Sequence, residues 1–426
     1  MGVKVAVVGA GSTYTPELVE GFATHRDRLP VDELAMMDVD AERLQTVGGV
    51  AGRILDAQDW GGRMALTQDR DQALDGASFV VVQIRVGGQA ARRSDETIPP
   101  RFGCIGQETT GPGGFTKALR TVPVVLELAE EMAARGAAGA WMVDFTNPVG
   151  IVTQALLDEG HRAIGLCNVA IGLQRRLAGM LGAHWEEIEL EHVGLNHLSW
   201  ERAVHLGGRD VLPHLLDRFG EELAEELELP VELLRLYRAI PSYYLRYYYL
   251  TGEVLEEQRS GSRPSRAEEV MAIERELLRL YRDPSIDRKP DLLSQRGGAF
   301  YSEAAVRLMA SLCAGTGDVQ VVDVRGGGAI PDLPPDAVVE VPARIDREGA
   351  HPLSLRPLEP EFLGLVQQAK AYERLAVTAA TTGSRTEALK ALMANPLGPS
   401  YGETVPLLDA LLDASRQYLP RFFHGR

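Results

Sequence analysis

Cysteine is scarce: Cys104, Cys167 and Cys313 are the three in 426 residues, widely separated and with no CxxC pair. An odd, dispersed set cannot build a disulfide framework, so a small stapled scaffold is excluded and a reducing compartment is expected. Long apolar runs are missing too, and none reaches the length of a membrane span. Positive charge is in deficit, 44 Lys and Arg against 60 Asp and Glu for a formal −16. That balance repels a phosphate backbone, which argues against general nucleic-acid binding. The start of the chain passes from apolar strand to glycine turn within ten residues. It lacks the longer apolar core of a secretory leader, and a cytoplasmic protein is expected.

What is present is an ordinary globular composition, 45% apolar and 24% charged, in a chain longer than the roughly 150 residues of one typical domain. The apolar run over 3–8 ends in glycines, the pattern of a strand buried on both faces of a parallel sheet. Helical spacing over 16–24 and 41–57, strands over 33–37 and 79–84, a helix over 116–135 and strands over 140–143 and 161–166 continue the alternation. This order predicts right-handed βαβ units in a doubly wound sheet, a Rossmann-like domain over 1–170. From 188 the rhythm changes to strands over 189–193, 198–204, 319–324 and 338–341 with helices over 212–227, 231–238, 266–281 and 361–380, predicting an α+β domain over 171–426. Within 266–281, Glu268, Glu269, Glu274 and Glu276 read as the outward face. The glycine-rich span 103–114 reads as a functional or mobile loop.

The turn Gly9-Ala10-Gly11-Ser12-Thr13 directly follows the first strand. Bare amides there, at the positive end of the next helix, can hold a pyrophosphate, although Tyr14 replaces the third glycine of GxGxxG. Asp38, at the end of the second strand, is where an acid would bond a ribose 2′-hydroxyl and favour NAD over NADP. Asn147, in Thr146-Asn147-Pro148, can present its amide to a ligand, and the proline can fix the turn or hold a cis peptide. Cys167 and His197 each lie just past a predicted strand. A thiolate and an imidazole suit a transition metal with positions left for substrate oxygens, but each residue alone is more often core packing. Tyr243, Tyr244, Tyr247, Tyr248 and Tyr249 crowd one segment, which usually means a packed face or subunit interface and can supply a base where a cation stabilises the phenolate. Arg92, Arg93, Asp95 and Glu96, and separately Arg263 and Arg266, read by default as solvated surface. An anionic substrate would give these arginine forks a purpose.

Together these pieces resemble glycoside hydrolase family 4, the NAD-dependent glycosidases, and within it the 6-phospho-β-glucosidase branch. Carrying the likeness are ValGlyAlaGlySerThrTyrThrProGlu from Val8, ArgValGlyGlyGlnAlaAlaArgArgSerAspGlu from Arg85, GlyGlnGluThrThrGlyProGlyGly from Gly106 and AspPheThrAsnPro from Asp144. CysAsn at Cys167, AsnHis at Asn196, TyrLeuArgTyrTyr at Tyr244, SerArgAlaGluGluVal at Ser265 and ArgGlyGlyAlaPheTyrSer at Arg296 complete a set that runs through nearly the whole chain in order. The resemblance implies an α/β fold, a Rossmann-like domain followed by an α+β domain of the lactate/malate dehydrogenase C-terminal type. It implies NAD and Mn²⁺ or another divalent transition metal as cofactors, a sugar phosphate as small-molecule partner, and a homodimer or homotetramer. Cys167 and His197 would hold the metal, Tyr244 would be the base, Arg92, Asn147, Asn168 and Arg266 would touch substrate, and Glu108 would lie near the nicotinamide beside the cofactor residues Gly9, Gly11, Ser12, Thr13 and Asp38. This family stands outside the two-carboxylate scheme of ordinary sugar hydrolysis. Two other readings stay open: a hydroxyacid dehydrogenase of the lactate/malate type, and a non-catalytic sensor of NAD and sugar phosphate. Within the family, unphosphorylated or galacto-configured sugars are the alternative substrates.

Overall fold

The computed structural model describes residues 2–298 and 300–423. Ala299 of the ArgGlyGlyAlaPheTyrSer stretch therefore lies outside them. Strands β1 (Val3–Val8), β2 (Val31–Met37), β3 (Arg63–Thr67), β4 (Phe79–Val82), β5 (Trp141–Asp144) and β6 (Ala163–Gly165) form a parallel array. Two further groups follow: a hairpin of β7 (Ile188–Leu195) and β8 (Leu198–Leu206) with the short β9 (Arg209–Asp210) and β10 (Ile240–Pro241), and then β11 (Val319–Arg325), β12 (Val338–Asp346) and β13 (Gly349–Pro352). Among the described residues the larger sheet has nine strands in the order β13-β12-β11-β6-β5-β4-β1-β2-β3, and β7 to β10 make a separate antiparallel sheet. The larger sheet thus draws three antiparallel strands from beyond residue 170, and a cut there divides the sequence without dividing the sheet.

Both faces of the parallel array are buried, as the continuous apolar strands require. Val5 and Val7 face Leu18, Val19 and Phe22 of the helix Thr15–Thr24 and Val47, Val50 and Ile54 of the helix Ala41–Ala57. Ala6 and Val8, one residue out of phase, join Phe115, Leu119 and Val122 of the helix Gly111–Arg135 on the opposite side. Local signals set the ends. Asp40 caps the helix Ala41–Ala57 by accepting from Arg43 N, and Ser265 with Glu268 forms a capping box at the start of the helix Arg266–Tyr281. No helix among the described residues is long and apolar enough to cross a membrane.

The span 103–114 is a loop only in part, because a helix begins at Gly111. Its GlyProGlyGly start lets two backbones touch: a Cβ on Gly113 would lie 2.3 Å from Gln107 O and 2.4 Å from Asp95 O. Gly113→Ala should therefore push this helix off its neighbours and cost about 1–3 kcal/mol. Denaturant unfolding checks this, and an unchanged midpoint would show that the contact relaxes freely.

Candidate active site

The turn after β1 is built as a cradle. Gly9, at φ +92, and Ala10 both donate their amides to Met37 O at 2.9 Å, and a Cβ on Gly9 would meet Gln83 O at 2.8 Å. Gly11 N donates to Asp38 Oδ2 at 2.8 Å, while Asp38 Oδ1 accepts from Asp40 N at 2.9 Å. A cavity of about 930 Å³ opens here, lined by Gly9, Gly11, Ser12, Asp38, Arg43, Arg85, Lys117, Asn147, Glu274, Arg296 and Tyr301 among others. Its size and glycine floor fit a dinucleotide. Thr13 does not reach the wall: it is fully buried and turns its hydroxyl to Glu274 Oε1 at 3.3 Å. Tyr14, where a third glycine would stand, is buried and donates its hydroxyl to Gly298 O at 2.5 Å.

Asn147 follows β5, and the bond to Pro148 is cis. Its Oδ1 is buried with no hydrogen-bond partner on the cavity wall, an orphan acceptor that a ligand hydroxyl would satisfy. Cys167 lies just past β6 and is 5% exposed. Its polar neighbours include Tyr301, which lines the cavity, and the Asn196 side chain. Asn168 is half-buried at the N-terminal end of the helix Val169–Leu181.

His197 sits in the β7–β8 turn at φ +63, with Nδ1 3.0 Å from Thr109 Oγ1, so Nε2 is the nitrogen with which it would meet a metal. The Tyr244 ring stacks on it, centroids 3.6 Å apart. Burial lowers the His197 imidazole to about 4, which keeps it neutral, the form that ligates metals. Burial, then Glu340 and Asp323, push the Cys167 thiol up, against the Val169 backbone and then Asn196. Among the described residues no group of three or more His, Cys, Asp or Glu side chains is arranged to hold a metal ion. The thiol and imidazole therefore fit a divalent cation as a two-donor set, with other positions left to non-protein oxygens. Burial, then Cys167, Tyr247 and Glu108, raise the Tyr244 phenol well above its ordinary value, and Arg92 pulls the other way.

Arg92, Asp95 and Glu96 are not a solvated surface, whereas Arg93 is exposed and pairs with Glu268. Arg92, on the helix Gly88–Thr97, is buried, with Nε 2.7 Å from Glu96 Oε1 and Nη2 3.3 Å from Glu108 Oε1. Glu108 also pairs with Arg85 and takes Lys117 Nζ at 2.7 Å. Burial alone would raise its carboxyl, but Arg85, Arg92 and Lys117 overcome this and hold it well below the carboxylate range. Lys117 is lowered to about 7 by burial and by Arg85. Asp95 pairs with Arg120 through contacts of 2.9 and 2.6 Å, both side chains being buried.

Glu274 corrects the reading of it as outward. It is 7% exposed, lines the cavity, and accepts from Gln89 Nε2 at 3.1 Å and Arg296 Nη2 at 3.3 Å. Its position was legible, since Val270, Glu274, Leu277 and Tyr281 share one helical stripe and all are buried. Arg266, by contrast, is not on the cavity wall: its side chain is 44% exposed, and its fork bonds Glu269 Oε2 at 2.9 Å and Gln295 O at 2.7 Å. Arg43, Arg85, Arg296, Lys117 and Tyr301 line the cavity without having been singled out as site residues from sequence.

A glycine cradle under a dinucleotide-sized cavity at the edge of a largely parallel sheet defines a dehydrogenase-like α/β protein, in which Cys167 and His197 are buried outside the cavity wall. The chain belongs to glycoside hydrolase family 4: residues 4–183 match the Family 4 glycosyl hydrolase description, and residues 192–398 match its C-terminal domain. It is 41% identical to a probable 6-phospho-beta-glucosidase of Bacillus subtilis, over 99% of this chain and 98% of that one. It superposes on the 6-phospho-beta glucosidase of Thermotoga maritima, solved with manganese, NAD⁺ and glucose-6-phosphate, at a TM-score of 0.91 and 35% identity, covering 98% of this chain and 99% of that one. Malate dehydrogenase of Plasmodium falciparum shares the fold alone, with a TM-score of 0.55 at 14% identity over 89% of this chain and 98% of that one.

Proposed function

We propose that this glycosidase cleaves 6-phospho-β-glucosides with NAD and a manganese-like divalent cation as its cofactors. The observation that carries this reading is the join between the two halves of the site: Tyr301 lines the dinucleotide-sized cavity and is an electrostatic neighbour of both Cys167 and Tyr244, and Tyr244 stacks on His197. When bound, the dinucleotide supplies a reversible hydride acceptor for C3 of the sugar, and the cation supplies a Lewis acid for neighbouring oxygens. Cys167 and His197 hold the cation, with Thr109 fixing the imidazole. Tyr244, stacked on His197, takes the proton at C2, which the oxidised neighbour has made acidic. The aglycone at C1 then leaves by elimination, water adds to the conjugated product, and the hydride returns.

Asn147 and Arg92 orient the sugar, Asn147 through its orphan carbonyl oxygen. Asn168, directly after the thiol, has no acidic proton for the leaving group. The aglycone therefore departs as a good leaving group or takes its proton through water.

The test compares p-nitrophenyl β-glucoside with its 6-phosphate, each with and without NAD⁺ and Mn²⁺. Nitrophenol should appear only from the phosphorylated glycoside with both cofactors present, and NADH should not accumulate. Full-speed release by nucleotide-stripped protein overturns the reading, and one NADH formed per sugar would make the chain a dehydrogenase.

A further inference from the structure

Behind the two metal-capable donors lies a buried cluster of charge that the proposed reaction does not use. Glu340 on β12 is 2% exposed, and its Oε1 accepts from Asn196 Nδ2 at 3.1 Å. Its Oε2 lies 3.0 Å from His192 Nε2 and accepts from Ser199 Oγ at 3.4 Å. The other ring nitrogen of His192 lies 2.7 Å from Glu201 Oε1. Asp323 is paired with Glu340 across the β11–β12 register and is fully buried, with both carboxyl oxygens lacking a hydrogen-bond partner. Burial would lower His192, but Glu201 and then Glu340 raise it to about 10. Burial, Glu340 and Glu373 push Asp323 well above its ordinary value.

Such a cluster is a poor way to stabilise a fold, because desolvating each ion costs about as much as the pairing returns, and an apolar replacement is often as stable. Its location supplies a better reason. Glu340 belongs to the nine-stranded sheet, whereas His192, Asn196, Ser199 and Glu201 belong to the β7–β8 hairpin of the other sheet. The contacts therefore fasten the hairpin that carries His197 to the sheet whose strand β6 leads into Cys167. The turn between the hairpin strands needs fastening. Gly194, at φ +143, would place a Cβ 2.2 Å from Leu198 O, and His197 is a non-glycine residue at φ +63. Conformations of that kind persist only where the surroundings over-determine them. Asn196 sits at the centre, donating Nδ2 to Glu340 and lying next in sequence to His197.

We propose that Glu340 is a positioning residue that, through Asn196, locks the turn bearing His197 against the sheet whose strand β6 leads into Cys167, so that the two donors are set for one divalent cation. This rests on the metal reading of the site and extends it to a residue more than 140 positions away in sequence. Losing such an outer support weakens metal binding by about 10–100-fold.

The experiment titrates Mn²⁺ alone against the purified full chain, following free Mn²⁺ by its paramagnetic resonance. Glu340→Ala should raise the Mn²⁺ Kd about 10–100-fold, and Glu340→Gln, which keeps an acceptor for Asn196, should recover most of that loss. Asn196→Ala should match Glu340→Ala, and the double variant should be no worse than either, since both remove one link. A folded Glu340→Ala with wild-type affinity overturns the proposal, as do additive losses in the double variant. Where Glu340→Ala does not fold, Asn196→Ala decides: unchanged affinity overturns the proposal and a matching loss supports it. Failure of the wild-type chain itself to bind Mn²⁺ instead overturns the metal reading, and this proposal with it.

Discussion

Tyr244→Phe is expected to lower kcat/KM on a 6-phospho-β-glucoside by about 10²–10⁴-fold, the range that a positioned base contributes. The substitution is clean because the ring stays. Phenylalanine keeps the 3.6 Å stack on His197 and the edge contact with Tyr243, so neither packing nor Mn²⁺ affinity should move. Only the hydroxyl is lost. In the wild type that hydroxyl is raised by burial and then by Cys167, so the phenolate fraction is small and grows with pH. Wild-type kcat/KM should accordingly climb on the alkaline side, and the residual activity of the variant should lack that limb. Isotopes separate base from bystander. A C2-deuterated substrate should react more slowly with the wild type, and solvent deuterium should enter at C2. A variant that keeps most of its turnover, or a wild type that retains all of its C2 hydrogen, would assign Tyr244 to packing.

How far the sequence carried these conclusions depended on what each segment buries. The helices Ala41–Ala57, Leu212–Leu227 and Arg266–Tyr281 and the strand Val3–Val8 were legible to the residue, because apolar period and end signals agree there. The helix Gly88–Thr97 was not, because its buried face is Ala91, Arg92, Asp95 and Glu96. A charged stripe carries no hydrophobic period, and its burial makes sense only once Arg120 and Glu108 are seen beside it. The edge strand Arg63–Thr67 was missed for the opposite reason, being mostly half-buried with weak alternation. That β11 to β13 extend the first sheet is a long-range pairing which no local period records. Within the site, residue types announced Cys167, His197 and the glycine turn, whereas Glu340 sits in an apolar strand and had no signal of its own. The fork of Arg266 is engaged with Glu269 and Gln295, contacts that its place in the SerArgAlaGluGluVal motif does not announce.

Cys167→Ser should raise the Kd for Mn²⁺ by about 100-fold or more, beyond the about 10–100-fold expected for losing an outer support, and turnover should fall with it. The two side chains are nearly the same size, and Cys167 is 5% exposed, so the fold should tolerate the change. Proton chemistry makes the difference. A metal ligand here must shed its proton, and burial, Glu340 and Asp323 already hold the thiol above its ordinary value. A serine hydroxyl is far less acidic and would keep its proton in the same surroundings. Because cation and proton compete for the sulfur, wild-type affinity should weaken as pH falls, and that slope should flatten in the variant. Dinucleotide binding supplies the control, since Gly9, Gly11 and Asp38 form their own cradle and Cys167 is not on the cavity wall. Calorimetry on one preparation should then show NAD⁺ affinity kept while Mn²⁺ affinity is lost. Equal loss of both would point to a general collapse of the site, and loss of neither would return the thiol to the core as an ordinary buried side chain.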